Sequence, residues 1–515
     1  MKNYYFNEEH DLFRQGLKEF LQREVVPNID KWEEEQRIPH DLWTKFGQMG
    51  YLGLNYSEQY GGEGVDFWYS VIFCEEVAKV WSGGFAVTPL VISYMSTPYI
   101  YKHASEFLKK KYLVPTIKGE LVSCIGITEP GAGSDVQNIK TRAIREGDHY
   151  VVNGSKTFIT NAVYGDYIVA VVKTDTSKGF EGVSLLIIDR NAPGVSAKKL
   201  KKLGWHASDT AELFFDNVKV PAENLIGSEG EGFIYLMGGL QLERLTGAIS
   251  AIAGCENAME YTLQYMSERQ AFGRSIDRFQ VLRHRMAQLA SEIECTKHFV
   301  YHCCRLHNDG EYVVKESSMA KLLATELSDK VAYQCLQSFG GYGFMEEYKM
   351  ARMFRDSRIL TIGGGSSEIM REIIAKMIID DKKYENKGLT IQYAKSETQP
   401  AQPNQPISSN TKTNNNNMAF ETLLADLSAR ASKAPTLGKT LKFDFGDNKI
   451  FIDGTGASNV ITAEDKEADC TISITAEDLN GIVTGSLNPM TAFMSGKIKV
   501  KGDMGLAMKL QTLFK

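Results

Sequence analysis

Apolar positions change their period twice along the chain. In EEHDLFRQGLKEFLQREVV, residues Leu12, Phe13, Leu17, Phe20 and Leu21 recur at helical spacing. Residues 1 to about 120 keep that texture around a glycine-rich loop, YSEQYGGEGVD. From Ser123 to about Asn224 the runs HYVVNG, YIVAVVKT, VSLLIID and AELFFDNVKV are β-branched or aromatic and end at Gly, Asp or Asn, which predicts strands. Residues 231 to 384 return to long helical periods. The pattern predicts helices over 1–121, a β-domain over 122–230 and helices over 231–384.

A different texture follows. Pro, Gln, Asn, Ser and Thr dominate Lys395 to Asn417, and such a segment cannot bury enough apolar surface to offset its ordering entropy. We expect a disordered linker over 385–417 and a separate domain over 418–515. A flexible linker of that length has a reach of about 30 Å, which holds the tail at an effective concentration on the order of mM. The tail opens with a helix, FETLLADLSARAS. It continues as a hairpin, LKFDFGDNKIFIDG, turning at Gly446-Asp447-Asn448, and adds the alternating strands CTISIT and GKIKVKG. Its last segment, MGLAMKLQTLF, is amphipathic.

Charge and cysteine usage narrow the class. A net charge of −6 leaves no basic footprint for nucleic acid. The cysteines show no CxxC pair and no framework spacing, which reads as free thiols in a reducing compartment: cytoplasm, mitochondrial matrix or peroxisome. The longest apolar run, Phe85 to Tyr101, is interrupted by Pro89 and Pro98 and falls short of the roughly 20 residues of a transmembrane span. No signal core, transit peptide or SKL-type address is legible, so we expect a soluble protein without an assigned organelle.

Several stretches carry candidate chemistry. In ITEPGAGSDV, Gly131 and Gly133 allow backbone amides to approach a ligand, and Thr128 and Ser134 bring hydroxyls. No helix-opening GxGxxG is completed there, which argues against a dinucleotide-fold fingerprint. His298 and His302 stand one turn apart near His307, Cys303 and Cys304, but no acidic third ligand accompanies them, and we expect no metal. KKLKK, Lys198 to Lys202, reads as a solvated loop face.

The motifs ITEPGAGSDV, NGSKTFITNA, SDTAELFFDNVKVP, ERQAFGRSI, QSFGGYGFMEEY and RDSRILTIGGGSSEIMRE occur in this order. Together they resemble the acyl-CoA dehydrogenase family over residues 1–384. The resemblance implies a multidomain fold: an N-terminal α-helical domain, a middle β-domain and a C-terminal four-helix bundle. It also implies FAD, a homotetramer or homodimer, and electron-transfer flavoprotein as electron acceptor. Carried over by motif, Ile125, Ile127, Thr128, Gly133, Ser134, Phe158 and Thr160 would contact the flavin. Phe158 stands where many members have Trp, so it keeps an apolar face without an indole N–H. Arg269 and Phe272 would reach the pyrophosphate and adenine end of the FAD of a neighbouring subunit, Gln337 and Gly341 would line the same adenosine site, and Gln280 would be a further FAD-binding position. Ser366 and Glu368 also match FAD-contacting positions, although Glu368 often aligns with Gln.

The chemistry so implied removes the α-proton of an acyl thioester and passes the β-hydrogen to flavin as hydride. It needs a carboxylate base and donors for the developing enolate oxygen. In TIGGGSSEIMR the position at which most members hold the catalytic Glu is Gly364, which keeps a backbone N–H donor but offers no base. Members resembling long-chain and isovaleryl-type dehydrogenases place the base on an earlier helix. The matching segment here is LMGGLQLERLTGAIS, and the matching carboxylate is Glu243. Glu243 lies near the apolar face of its helix, with Gly239 and Gly247 one turn to either side. Arg244 matches an arginine that helps hold CoA, and Ser134 is placed to contact pantetheine.

The tail resembles the sterol carrier protein 2 family through NPMTAFMSGKIKVKGDMGLAMKLQTLF. That implies a small α+β domain with a five-stranded sheet and an apolar tunnel for acyl-CoA or other lipid. Met490, Phe493, Met494, Leu506, Met508 and Leu510 are candidates for its lining or its core. The resulting expectation is FAD-dependent α,β-dehydrogenation of acyl-CoA, long-chain or branched, to trans-2-enoyl-CoA, with a tethered lipid-binding domain. The alternatives are an acyl-CoA oxidase using O2, an inactive lipid-binding protein, or another flavin reaction on the same fold.

Overall fold

The computed structural model describes residues 5–380, 424, 436–446, 448–475, 478–479, 498–502 and 506. The chain divides into two compact units, one of Met1–Asp309 and Val313–Glu372, the other of Gly310–Tyr312 and Ile373–Lys515.

The first unit opens with helix α1, Glu8–Glu24. Its start is set by a reciprocal cap in which the Asn7 side chain accepts from the His10 N–H and the His10 ring accepts from the Asn7 N–H. Leu17, Phe20 and Leu21 are buried, whereas Leu12 is exposed. Leu12 precedes Leu17 by five residues, which at about 100° per residue turns it away from the buried stripe.

The apolar run after Trp81 differs from its sequence reading. Pro89 and Pro98 do not break it. Helix α2, Gly83–Leu90, passes through a π-helical turn, Val91–Ser96, into helix α3, Thr97–His103. The Ser96 hydroxyl donates to the Val91 and Ile92 carbonyls, and the Thr97 hydroxyl donates to the Ile92 carbonyl at 2.6 Å. Side chains therefore satisfy carbonyls near the proline that has no N–H to offer. This widened turn aims Tyr99 inward. Among the described residues no helix is long and apolar enough to cross a membrane.

The middle of the unit is a sheet of β1 (Ser123–Gly126), β2 (Arg142–Glu146), β3 (His149–Thr160), β4 (Tyr167–Lys173), β5 (Val183–Asp189), β6 (Val195–Lys199), β7 (Thr210–Pro221) and β8 (Leu225–Ile226). The order is β6-β7-β3-β2-β4-β5-β8, with β1 parallel to β4. Strands β3 and β7 pair along their length but shift register at Val152/Gly154 and again at Lys156/Ile159. The KKLKK segment is only partly solvated: Lys202 Nζ donates to the Ser208 carbonyl, the Ser208 hydroxyl and the Thr210 hydroxyl, and burial pushes its ammonium down to about 8.

Long helices complete the unit: α4 (Gly232–Glu268), α5 (Gln280–Asn308) and α6 (Val314–Ser338), then α7 (Ser367–Ala375). A two-stranded ribbon of β9 (Gln270–Ala271) and β10 (Arg274–Ser275) joins α4 to α5. The three histidines do not converge. His298 bonds Glu294, His302 lies beside Arg305, and His307 packs edge-on against Phe67.

The described part of the second unit is a five-stranded sheet, β13-β12-β11-β14-β15, formed by β11 (Thr440–Asp444), β12 (Lys449–Asp453), β13 (Val460–Thr462), β14 (Cys470–Ser473) and β15 (Lys499–Gly502). Leu441, Phe443, Ile450, Ile452, Cys470 and Ile472 form one buried face, as strand alternation requires. The β11–β12 hairpin turns through Gly446 at φ +89°. Leu506 is buried. The expected linker, and Met490, Phe493, Met494, Met508 and Leu510, lie outside the described residues.

One buried ion pair ties the β-domain together. Lys156 is fully buried and donates to Glu129 at 2.7 Å and to the Ile127 carbonyl at 3.1 Å. Glu129 also accepts the Lys140 and Thr141 N–H groups. Replacing Lys156 with Met strands that carboxylate without its cation. The expected cost is about 3–5 kcal/mol, measured by urea unfolding.

Candidate functional site

Glu243 sits in the first half of α4. The Tyr99 hydroxyl, delivered by α3, donates to its Oε1 at 3.1 Å. Tyr99 reaches it because Gly239, one turn before Glu243, has no side chain: a Cβ there would lie 2.2 Å from the Tyr99 hydroxyl oxygen. Burial dominates the carboxyl's environment and pushes it up from the ordinary range to about 7, against the Tyr99 hydrogen bond and the nearby Arg244 charge, which both favour the anion. A carboxylate poised near neutrality is suited to take a proton.

Following Glu243 by 4, 8 and 11 residues, Gly247, Ala251 and Gly254 continue its face of α4. They form one wall of an apolar cavity of about 120 Å³, whose opposite wall is Ala86, Val87 and Leu90 of α2. The far end is held by Asp356. Its carboxylate accepts the N–H groups of Gly83 at 2.9 Å and Trp205 at 2.6 Å. Burial raises Asp356 to about 6.

The loop after Thr361 carries the glycine triplet. Gly364 has φ +66° and Gly365 φ +99°, a region glycine enters without strain. Among the described residues the Gly364 N–H has no hydrogen-bond partner. Ser366 is half-buried and Glu368 is exposed, in the first turn of α7.

The residues expected to hold FAD fall into two groups. On the β-domain, Ile125, Ile127, Thr128 and Thr160 are half-buried at one end of β1 and β3. The Thr157 N–H donates to the Thr128 carbonyl at 2.8 Å, which sets Thr128 beside Phe158. Phe158 occupies the bulge between Lys156 and Ile159, is 68% exposed, and has φ +62°. A non-glycine residue in that conformation is strained, and the strain here holds an aromatic ring out of the sheet. Gly131 and Gly133 border open space, and Ser134 is exposed beside them. An exposed ring, threonine hydroxyls and a side-chain-free loop fit a flat apolar ring system with a hydrogen-bonding edge.

On the bundle, Phe272 (φ +52°) and Gly273 (φ +76°) turn the β9–β10 ribbon, and Phe272 is 95% exposed. The Arg269 guanidinium lies 5.3 Å over the Tyr342 ring, so Arg269 and the Gln337–Gly341 segment share a surface. Gln280 is the first residue of α5, where free N–H groups suit an anion.

The sequence reading did not find Tyr99, the Lys156–Glu129 pair or Lys321. The glycines flanking Glu243 were visible, but only the fold shows that one admits a tyrosine and the other opens a cavity.

Fold and site place a half-buried carboxyl beside an apolar cavity, and an exposed aromatic ring with threonine hydroxyls on the β-domain. Residues 7–120, 124–218 and 230–379 match the models of the acyl-CoA dehydrogenase N-terminal, middle and C-terminal domains, and residues 420–515 match the SCP-2 sterol transfer family. The mitochondrial long-chain specific acyl-CoA dehydrogenase of Sus scrofa is 40% identical over 382 residues, covering 73% of this chain and 88% of that protein. The crystal structure of acyl-CoA dehydrogenase from Geobacillus kaustophilus shares 44% identity at a TM-score of 0.70, covering 73% of this chain and 99% of that one. That of an acyl-CoA dehydrogenase complexed with FAD from Bacillus anthracis shares 30% identity at a TM-score of 0.70, covering 75% and 70%. The chain therefore belongs to the acyl-CoA dehydrogenase family, whose members are FAD-dependent, and carries an SCP2 domain at its C-terminal end. These relatives weigh against the oxidase alternative.

Glu243 is raised in the fold, so its protonated form is the one the fold favours. That contribution is present below the ordinary carboxylate range and is lost as pH rises through about 7. Glu243→Gln is expected to raise stability above pH 7, by up to about 3 kcal/mol, read as a pH-dependent gap in melting temperature.

Proposed function

We propose that this chain dehydrogenates long-chain acyl-CoA with Glu243 as the base. The observation that carries this reading is the continuity of one helix face, from a carboxylate poised near pH 7 into an apolar cavity walled by Gly247, Ala251 and Gly254. From Glu243 to Gly254 the helix advances about 16 Å.

In this reading Glu243 takes the α-proton, and Tyr99 holds its carboxylate in place and keeps it partly ionised. The Gly364 N–H donates to the thioester oxygen as negative charge grows there; a donor of this kind contributes about 2.7–4 kcal/mol. Arg244 and Ser134 hold the CoA portion. FAD, when bound, supplies the hydride acceptor. Thr128, Phe158 and Thr160 would hold its ring system, while Arg269, Phe272, Gln280, Gln337 and Gly341 would hold the pyrophosphate and adenosine end in a neighbouring copy, which makes the active form an oligomer. Electron-transfer flavoprotein takes the electrons onward, and the SCP2 domain binds lipid or acyl-CoA.

The test is flavin absorbance under anaerobic conditions with a series of acyl-CoA chain lengths. Wild type is expected to bleach fastest with long chains, at a rate that rises with pH through about 7. Glu243→Gln is expected to bleach at least about a hundredfold more slowly. Equal bleaching in both would remove Glu243 from the role. Gly247→Leu fills the lane below the base, so each methylene it displaces should cost about 0.8 kcal/mol, roughly fourfold. The expected outcome is a large loss on long chains with short-chain turnover nearly unchanged.

A further inference from the structure

Lys321 is a buried cation for which the reaction as described has no use. It lies on α6, is 3% exposed, and its ammonium donates to the Gly365 carbonyl at 2.5 Å. The charged groups facing it are Arg244 from α4, Glu326 on its own helix and Glu368 from α7. Neither carboxylate pairs with it. Glu326 is bound by Arg371 at 2.6 Å, and Glu368 turns to its own backbone N–H and the Ser366 hydroxyl. Among the described residues no carboxylate lies within salt-bridge distance of Lys321. A buried ammonium without a counter-ion is costly, and this one places its donor on a single backbone carbonyl.

That carbonyl belongs to the residue after Gly364. Three consecutive glycines have little conformational preference of their own. A loop that must present one N–H in a fixed direction therefore needs an external hold. Lys321 supplies it from a long helix packed against α4, and it brings positive charge to the place where the thioester oxygen becomes negative. We propose that Lys321 is a positioning residue for the dehydrogenation, clamping the Gly365 carbonyl so that the glycine triplet presents the Gly364 N–H to the substrate oxygen. This rests on the reading of Gly364 as the oxyanion donor.

Burial, followed by the repulsion of Arg244, pushes the Lys321 ammonium down to about 8. The clamp is charged below that pH and neutral above it, whereas Glu243 becomes a base as pH rises through about 7. The rate of flavin reduction should therefore rise and then fall, with Lys321 setting the alkaline limb.

The experiment uses full-length holoenzyme as wild type, Lys321→Met and Lys321→Arg, with flavin content and melting temperature as controls. Anaerobic flavin reduction by a long-chain acyl-CoA is followed from pH 6 to 10, together with the substrate dissociation constant. Lys321→Met is expected to lose about 10–100-fold in reduction rate, part of what a whole oxyanion donor supplies, with substrate affinity nearly unchanged. Lys321→Arg keeps the charge, so it should retain most of the rate and lose the alkaline limb near pH 8. A normally reduced wild type beside an equally fast Lys321→Met overturns the inference alone. A wild type that no thioester reduces overturns the dehydrogenation reading and this inference with it. If Lys321→Met does not fold, the other two profiles decide: a wild-type rate that stays level above pH 8, or a limb that persists in Lys321→Arg, overturns the proposal.

Discussion

Everything at this site depends on shielding one half-buried carboxyl from water without a tight counter-ion. Glu243 is neither paired with a lysine nor left to solvent. Its direct partner is a tyrosine hydroxyl, which favours the anion less than burial disfavours it. Pairing it closely with a cation would hold it ionised but make it a weak base, and full solvation would leave it in the ordinary range. The intermediate arrangement requires a long helix to carry the acid, a neighbouring helix to bring the tyrosine, and a glycine where the two meet.

The same economy recurs in the β-domain. Phe158 is held in a strained backbone conformation by a bulge, and the bulge is anchored by the Lys156–Glu129 pair just before it. Glu129 collects two backbone N–H groups besides the lysine, so the pair is satisfied on both sides and fixes the loop bearing Thr128 against the strand bearing Phe158. The cost of that strain is met by buried polar contacts behind the surface, which leaves the exposed ring and hydroxyls available to a ligand.

The second unit follows simpler rules. Its sheet buries alternate residues and turns others to the opposite face, where half-buried Lys442 reaches Asp465 at 2.9 Å. It adds a match to the SCP-2 sterol transfer family to an acyl-CoA dehydrogenase unit on one chain.

Periodicity alone was enough for the order helix, sheet, helix and tail sheet, because the spacing of apolar residues records which face of each element is buried. Motif order was enough for the family. Glu243 emerged from its matching position, supported by the apolar face and flanking glycines of its own helix. What only the tertiary structure decided are the contacts between elements far apart in sequence. Tyr99 meets Glu243 across 144 positions and Lys321 meets Gly365 across 44. The prolines of α2 and α3 looked like breaks because proline removes an N–H, but serine and threonine hydroxyls satisfied the carbonyls nearby. A local pattern carries the preference of a residue for a face. It does not carry the identity of the group that arrives on that face from elsewhere, and the chemistry of this site is made by those arrivals.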